Sequence, residues 1–530
     1  MNFAVVSAVA VGFAFASSTA RAEKAPAIPE EPPLERYEDV PQPWREYLLR
    51  ARVAERIADP LQRCLAFPDL PDNRWPEGHA AAHCRHHFGV QRPTLEELGD
   101  LVERGELARL EEMFDASLAR HYSGSDASEE IHDTFNYLLS GGDAQIDRLT
   151  AAWIRQAPDS AYANLARGAY FKGAAWKARG SKYASETPGE NLRRMSALVE
   201  AAIPYFEKAV SINPRLIAAY TGMVELGMLD SRPELEERAF EMAEKLDPAC
   251  VELANVRMRA LQPRWGGSYE RMLAYANRLS RHVPGRPHLA MHVGAPFADR
   301  GDRLIADSQL TRETLDILEI AIAKGSSEEA LRDAANVALN LSDGKPDRIK
   351  GLAFLLQQSR FQETDAWGAR QIAWLLVRPE PQWSLKYALH ALELEPGNAF
   401  GHYLVAAGFN NVGRLEEAER AYRVAMEDPR HRQASLREVA SMWLYHGDED
   451  DTDRATKAGP YIDLLVREYP DDGWGWIMRL DRDGMMEKRI EVQAVREVLG
   501  RLNRDDPWQA ARAEELEKAI EQAGAAAKPR

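Results

Sequence analysis

Apolar residues recur at i, i+3, i+4 and i+7 through most of the chain between residues 94 and 520, the spacing of one face of an α-helix. Alternating Val/Ile runs that would mark strands are scarce, while Ala, Leu, Glu and Arg dominate. Helix starts stand out as capping boxes at Thr94-Leu95-Glu96-Glu97 and Ser326-Ser327-Glu328-Glu329. Several predicted helices then stop at a proline after a similar run: "YFEKAVSINP" at Pro214, "FEMAEKLDP" at Pro248, "ALHALELEP" at Pro396 and "AYRVAMEDP" at Pro429. Pro214 and Pro248 are 34 residues apart, Pro396 and Pro429 are 33 apart, and looser proline-marked ends fall at Pro158, Pro284, Pro470 and Pro507.

Within these runs Ala202, Phe206, Ala209 and Pro214 sit at spacings of 4, 3 and 5. Phe240, Ala243 and Pro248 repeat the last two spacings, with Glu236 in place of the first alanine, and Ala418, Tyr422, Ala425 and Pro429 come one residue short. Small residues let paired helices approach, the aromatic fills the gap to the next pair, and proline ends the second helix. A period near ~34 with this ending resembles the tetratricopeptide repeat. The best-matched unit is Asn398–Pro429, with a first helix to Asn410, a turn at Val412-Gly413-Arg414 and a second helix to Met426. The predicted fold is all-α: a tetratricopeptide-like, right-handed superhelix of helix-turn-helix repeats behind a small N-terminal helical cap.

A narrower resemblance lies in "RGAYFKGAAWKARGSKY" (167–183), "QPRWGGSYERMLAYA" (262–276) and the upstream "DPLQRCLAFPDLPDNRWPEGHAAAHC". These stretches resemble an exported bacterial family of tetratricopeptide-like proteins known only as a domain of unknown function, of the DUF4034 type. The resemblance implies a fold and no activity. The expected organisation is a signal peptide over 1–22, a Pro-rich linker over 23–43, a cap over 44–93, the family-like region over 94–290, further repeats over 291–520 and a frayed tail over 521–530.

The N-terminus is read as an export signal: an apolar run from Phe3 to Ser17, then Ala20-Arg21-Ala22 in the A-x-A pattern of a cleavage site. That run is shorter than the ~20 residues of a spanning helix, so the expectation is a periplasmic or secreted protein with no membrane insertion after cleavage. Loss of Arg21 takes the formal charge from −16 to −17. An acidic chain without a basic cluster excludes nucleic acid as the expected partner and favours steering of a basic one.

Candidate chemistry is sparse. G-x-S-x-G, Walker-type and dinucleotide fingerprints are absent, and no cofactor is called for. The acidic loop Asp448–Asp453 lacks the glycine and glutamate positions of a calcium loop and reads as a solvated turn. "HAAAHCRHH" places His79, His83 and His87 one turn apart, a spacing that suits a zinc pair, and "HLAMH" repeats it at His288 and His292. Position 80 is Ala, so the general base of H-E-x-x-H is missing. The preferred reading makes these histidines a polar, exposed helix face, with a metal centre at His79, His83 and His87 as the alternative.

Cys64 and Cys84 flank an irregular Pro- and Asp-rich loop. A disulfide between them would remove about 3 kcal/mol of loop entropy from the unfolded chain in the entropic picture. Cys250 reads as a small buried residue, or as an odd thiol open to pairing between chains. On the predicted helix Ala161–Arg179, Tyr162, Leu165, Ala169 and Trp176 form a packing stripe, and Gly180 is its natural terminator. Arg167, Trp176, Arg179 and Tyr183 are the candidate ligand-binding set. The function expected from all this is a non-enzymatic exported scaffold binding a protein or peptide, with a toxin inhibitor as one version and a metal-dependent protein as the other class.

Overall fold

A computed structural model describes residues 33–90, 92–124, 129–325, 327–447, 450–488 and 490–526. The expected signal peptide and residues 23–32 of the expected linker lie outside the described residues, as do Asp448, Glu449 and the last four residues. The described residues are helices and turns with no strand among them. Among them, no helix is long and apolar enough to cross a membrane. The architecture of the described residues is all-α, with helices that pair with their neighbours along the chain. The described residues divide into two compact units, one within 46–362 and the other within 363–526 together with 33–45.

In the 46–362 unit consecutive helices pair as hairpins. Ala161–Arg179 packs on Gly189–Ile212, Ile217–Leu229 on Pro233–Leu246, Ala290–Ala306 on Arg312–Lys324, and Glu328–Leu339 on Arg348–Phe361. Local chemistry sets the ends. Thr94 and Glu97 form the predicted reciprocal cap. The Ser160 hydroxyl accepts from the Ala163 N–H, and Gly180, at φ 71°, closes the same helix. The repeat residues behave as their spacing predicts: Ala202, Phe206 and Ala209 are fully buried. A Cβ on Gly222 would lie 2.8 Å from the Phe206 ring, so the small residue is what lets the aromatic fill the seam.

The cap is tied down far along the chain. Cys64 and Cys84 are joined as a disulfide, Cα atoms 5.7 Å apart. Phe67 and Leu70 in the segment between them are buried. Trp75 Nε1 donates to the Ile322 carbonyl, the Arg74 N–H donates to the Ala323 carbonyl, and the Tyr47 hydroxyl donates to the Ala353 carbonyl. The segment thus packs on helices near residues 320–360 and not simply ahead of the repeats.

In the second unit Asn398 caps Ala399–Asn411, Gly413 turns at φ 78°, and Leu415–Ala425 follows. Here Pro429 does not end that helix. It occupies the first position of Pro429–His446 behind the Asp428 cap, where a missing N–H costs nothing. Asp450, from the acidic loop, caps Asp451–Glu468. Residues 33–43, read as linker, carry a short 3-10 helix and bury Leu34 and Val40, and the Leu34 N–H donates to the Leu375 carbonyl.

Candidate functional site

The His79–Phe88 helix turns its histidines inward. His79 and His83 are fully buried, which corrects the exposed polar face expected from sequence. The reason is tertiary: the cap docks this face onto Phe361 and on His288, which lies just before Ala290–Ala306. The His83 ring stacks on Phe361 with centroids 4.0 Å apart and planes 9° from parallel. His79 Nδ1 lies 2.9 Å from the Pro287 carbonyl, so it is directed away from the other two.

His83 and His87 instead meet Glu328, 245 positions after His83. Their Nε2 atoms lie 2.9 and 2.8 Å from Glu328 Oε1, and 3.1 Å from each other. Glu328 gets there because Ser327, not Ser326, is the N-cap, its hydroxyl accepting from the Ala330 N–H. This corrects the expected box: the third helical residue is Ala330, and Glu328 is the first. Burial alone would raise the Glu328 carboxyl, but the two imidazoles hold it well below the usual carboxylate range. Burial lowers His83 despite Glu328.

The three donor atoms form a compact cluster. Their spacing of 2.8–3.1 Å is that of direct hydrogen bonds. Ligand atoms around a tetrahedral zinc at 2.0–2.2 Å would stand roughly 3.3 Å apart. The set His83, His87 and Glu328, rather than His79, His83 and His87, is what the fold brings together, and as placed it is a hydrogen-bonded knot. His288 and His292 complete a buried imidazole cluster, with His288 centroids 4.9 Å from His83 and 5.0 Å from His86. Burial, then neighbouring histidines, holds His86 at about 3; burial above all holds His79 and His292 at about 4.

Glu328 also lines a cavity of about 420 Å³. Asp299 and Asp302 come from Ala290–Ala306, and Glu329 and Asp333 from Glu328–Leu339. Trp176, Trp265, Met258 and Met291 supply apolar surface, and Arg259 and Arg264 are the cations. Arg259 is already engaged by Glu225, 3.2 Å away, which also binds buried Lys172 at 2.5 Å. His292 is nine-tenths buried at the cavity wall, and its Nε2 makes no hydrogen bond. Burial and then mutual repulsion from Glu329 and Asp302 push the Asp333 carboxyl up to about 8. Burial and then neighbouring carboxylates also raise Glu329 and Asp299, and burial raises Asp302.

The candidate ligand set divides. Arg167 is held by Asp147 at 2.6 Å and lies over the Tyr170 and Phe171 rings, away from the cavity. Trp176 lines the cavity, edge-on to Trp265 at 5.6 Å. The Arg179 guanidinium lies 4.8 Å from the Trp265 ring centre and donates to the Lys182 carbonyl, while Arg264 bridges Trp265 and the exposed Tyr183. Trp176, Arg179 and Tyr183 therefore gather around Trp265 at the cavity rim. The cavity carboxylates were missed from sequence because each reads as an ordinary helix-surface acid.

The chain matches none of the curated proteins. Among solved structures it is similar to the P58(IPK) TPR domain, at 16% identity over 74% of this chain and 98% of that one, TM-score 0.23. It is also similar to the APC/C hetero-tetramer Cut9–Hcn1, at 10% identity over 91% and 96%, TM-score 0.30. A third is Naa15/Naa10 bound to HypK-THB, at 15% identity over 81% and 78%, TM-score 0.19. Residues 94–237, from the Thr94 cap into the Pro233–Leu246 helix, match the family model Domain of unknown function (DUF4034).

Proposed function

We propose that this protein is a non-enzymatic, exported binding protein that takes a basic side chain of a protein or peptide partner into the acidic cavity of its 46–362 unit. The observation that carries this reading is the cavity's imbalance. Five carboxylates (Asp299, Asp302, Glu328, Glu329 and Asp333) face two arginines, one of them already committed to Glu225. Packed carboxylates raise one another's proton affinity, and a bound cation relieves that cost. The indole surfaces of Trp176 and Trp265 beside them suit the stem of a lysine or the plane of an arginine guanidinium. Helical-repeat folds present such surfaces to protein segments. The disulfide and the leader-like N-terminus support an oxidising compartment, and a basic toxin would be one partner of this chemistry.

The test is titration of an Arg/Lys-rich peptide into the full chain, followed by tryptophan fluorescence and calorimetry. Binding weakened at least tenfold by Asp299→Asn with Asp333→Asn supports the reading. Binding left unchanged by that pair, or no binding of any cationic peptide at low salt, overturns it.

A further inference from the structure

A second cluster lies elsewhere in the same unit and shares no residue with the cavity. His121 ends the Leu107–His121 helix, His132 ends the short Glu130–His132 turn, and Cys250 is the N-cap of Val251–Ala260. All three are buried, His121 completely. Their donor atoms lie within 4.8 Å of one another.

The sulfur contacts have lengths that a thiol hydrogen bond and a coordination shell share, and the nitrogen–oxygen contact favours the shell. Cys250 Sγ is 3.5 Å from His132 Nε2 and 3.6 Å from Glu129 Oε2, and that oxygen is 3.5 Å from His132 Nε2. A nitrogen–oxygen separation of 3.5 Å is too long for a hydrogen bond. Around a tetrahedral zinc, with Zn–S near 2.3 Å and Zn–N and Zn–O near 2.0–2.2 Å, neighbouring ligands stand roughly 3.3–3.6 Å apart. The three contacts match the edge lengths of one face of such a tetrahedron, and a His121 ring nitrogen lies within 4.8 Å of the His132 and Cys250 donor atoms. Neither ring nitrogen of His121 makes a hydrogen bond, although Asp247 Oδ2 is 3.3 Å from Nε2.

The surroundings are those of a metal shell. His132 Nδ1 faces the Thr221 hydroxyl at 3.4 Å and the Asn136 amide at 3.3 Å, contacts that orient a ligating imidazole. Asp247 stands behind His121 in the same way. Charge also balances: Glu129, Asp247 and a Cys250 thiolate face Arg286, 3.5 Å from Glu129 and 3.4 Å from Asp247, so a dication neutralises the set. The contrast with His83–His87–Glu328, whose atoms are already at hydrogen-bond distance, is one of length and donor type.

We infer that His121, His132 and Cys250, with Glu129 beside them, form a buried, structural site for a zinc-class divalent cation, which clamps three segments of the 46–362 unit together. The donors are buried and one of them is a cysteine sulfur, so the role of the site is to hold the fold.

The test uses untagged full-length protein, dialysed against a weak chelator and analysed for metal. About one zinc per chain is expected, retained in Glu328→Gln and lost in Cys250→Ser and His132→Ala. Cobalt-substituted wild-type protein reports sulfur ligation without any variant: a thiolate-to-cobalt charge-transfer band is expected. Strong chelation should lower the melting temperature of wild type but not of Cys250→Ser. Absence of stoichiometric metal, a cobalt spectrum without the sulfur band, or metal that leaves with Glu328→Gln and stays with Cys250→Ser overturns the inference. A failure of peptide binding in the cavity leaves these readouts untouched, because no residue is shared.

Discussion

The Arg360 guanidinium donates its Nε–H to the backbone carbonyl of Cys64, 296 residues earlier, at 2.8 Å, and pairs with Asp69 at 2.6 Å. Arg360 is buried, whereas Asp69 is about half exposed. Its removal leaves a buried carbonyl without its donor, at a cost of about 1–3 kcal/mol. Arg360→Ala is expected to loosen the cap while the repeats stay folded. Limited proteolysis should then cut within residues 66–78 faster than in wild type, with unchanged helical circular dichroism.

The Cys64–Cys84 disulfide closes the same segment. Reduction, or the double substitution Cys64→Ser with Cys84→Ser, is expected to cost about 3 kcal/mol for the part of the unfolding transition that involves the cap. Urea denaturation with and without reductant measures it. The Arg360→Ala effect should add to this loss only partly, because both act on one docked segment.

Lys172 and Glu225 form a pair that is almost wholly buried, with Arg259 on the other carboxylate oxygen. Lys172→Met leaves Glu225 with one cation, and a loss of about 3 kcal/mol is expected, the low end of the range for breaking a buried pair. Lys172→Met with Glu225→Leu should recover part of it. Thermal denaturation of the two variants distinguishes a buried-charge penalty from lost packing.

Acid sensitivity follows from the imidazole cluster. Burial holds His79 and His292 at about 4, so between pH 6.5 and 4 the unfolded chain binds protons that the folded chain does not. Their contribution is intact above pH 6.5 and is lost as the pH falls, at up to about 1.4 kcal/mol per unit for each group. The urea midpoint should fall steeply from pH 7 to pH 5, and His292→Gln should flatten that slope.

The cavity gives the opposite dependence. Asp333, raised to about 8, is protonated in the folded protein and ionised in the unfolded chain at neutral pH. Its ionisation in place costs stability as pH rises from the ordinary carboxylate range through about 8, and Asp333→Asn should raise the melting temperature at pH 9 more than at pH 5. A cationic peptide bound there at pH 7 should expel that proton. Calorimetric heats in buffers of different ionisation enthalpy should therefore reveal proton release, abolished in Asp333→Asn.

Much of the architecture was legible along the chain because its causes are local. Ala202, Phe206 and Ala209 were placed by spacing, Thr94 and Glu97 by the capping box, and Gly180 by its position after a helical run. Errors came where a partner distant in sequence decided the outcome. The box pattern favoured Ser326 with Glu329, whereas Ser327 caps the helix and Glu328 meets His83 and His87. The polarity of His79 and His83 argued for exposure, and only the docking of the cap on Phe361 and His288 buries them. Arg167 looked like a companion of Trp176, yet Asp147 holds it on another side of the helix.

By itself the sequence determined the helices, their pairing and the disulfide-bearing loop, because periodicity, caps and short-range closure are properties of neighbouring residues. It also set the excess of negative charge, which is a sum and needs no geometry. Tertiary structure alone decided which charges and donors meet. Asp299, Asp302, Glu329 and Asp333 became one cavity, and His121, His132 and Cys250 one cluster, through packing of segments up to 129 residues apart. Long-range juxtaposition depends on how helical pairs stack, and no local pattern in the chain encodes it.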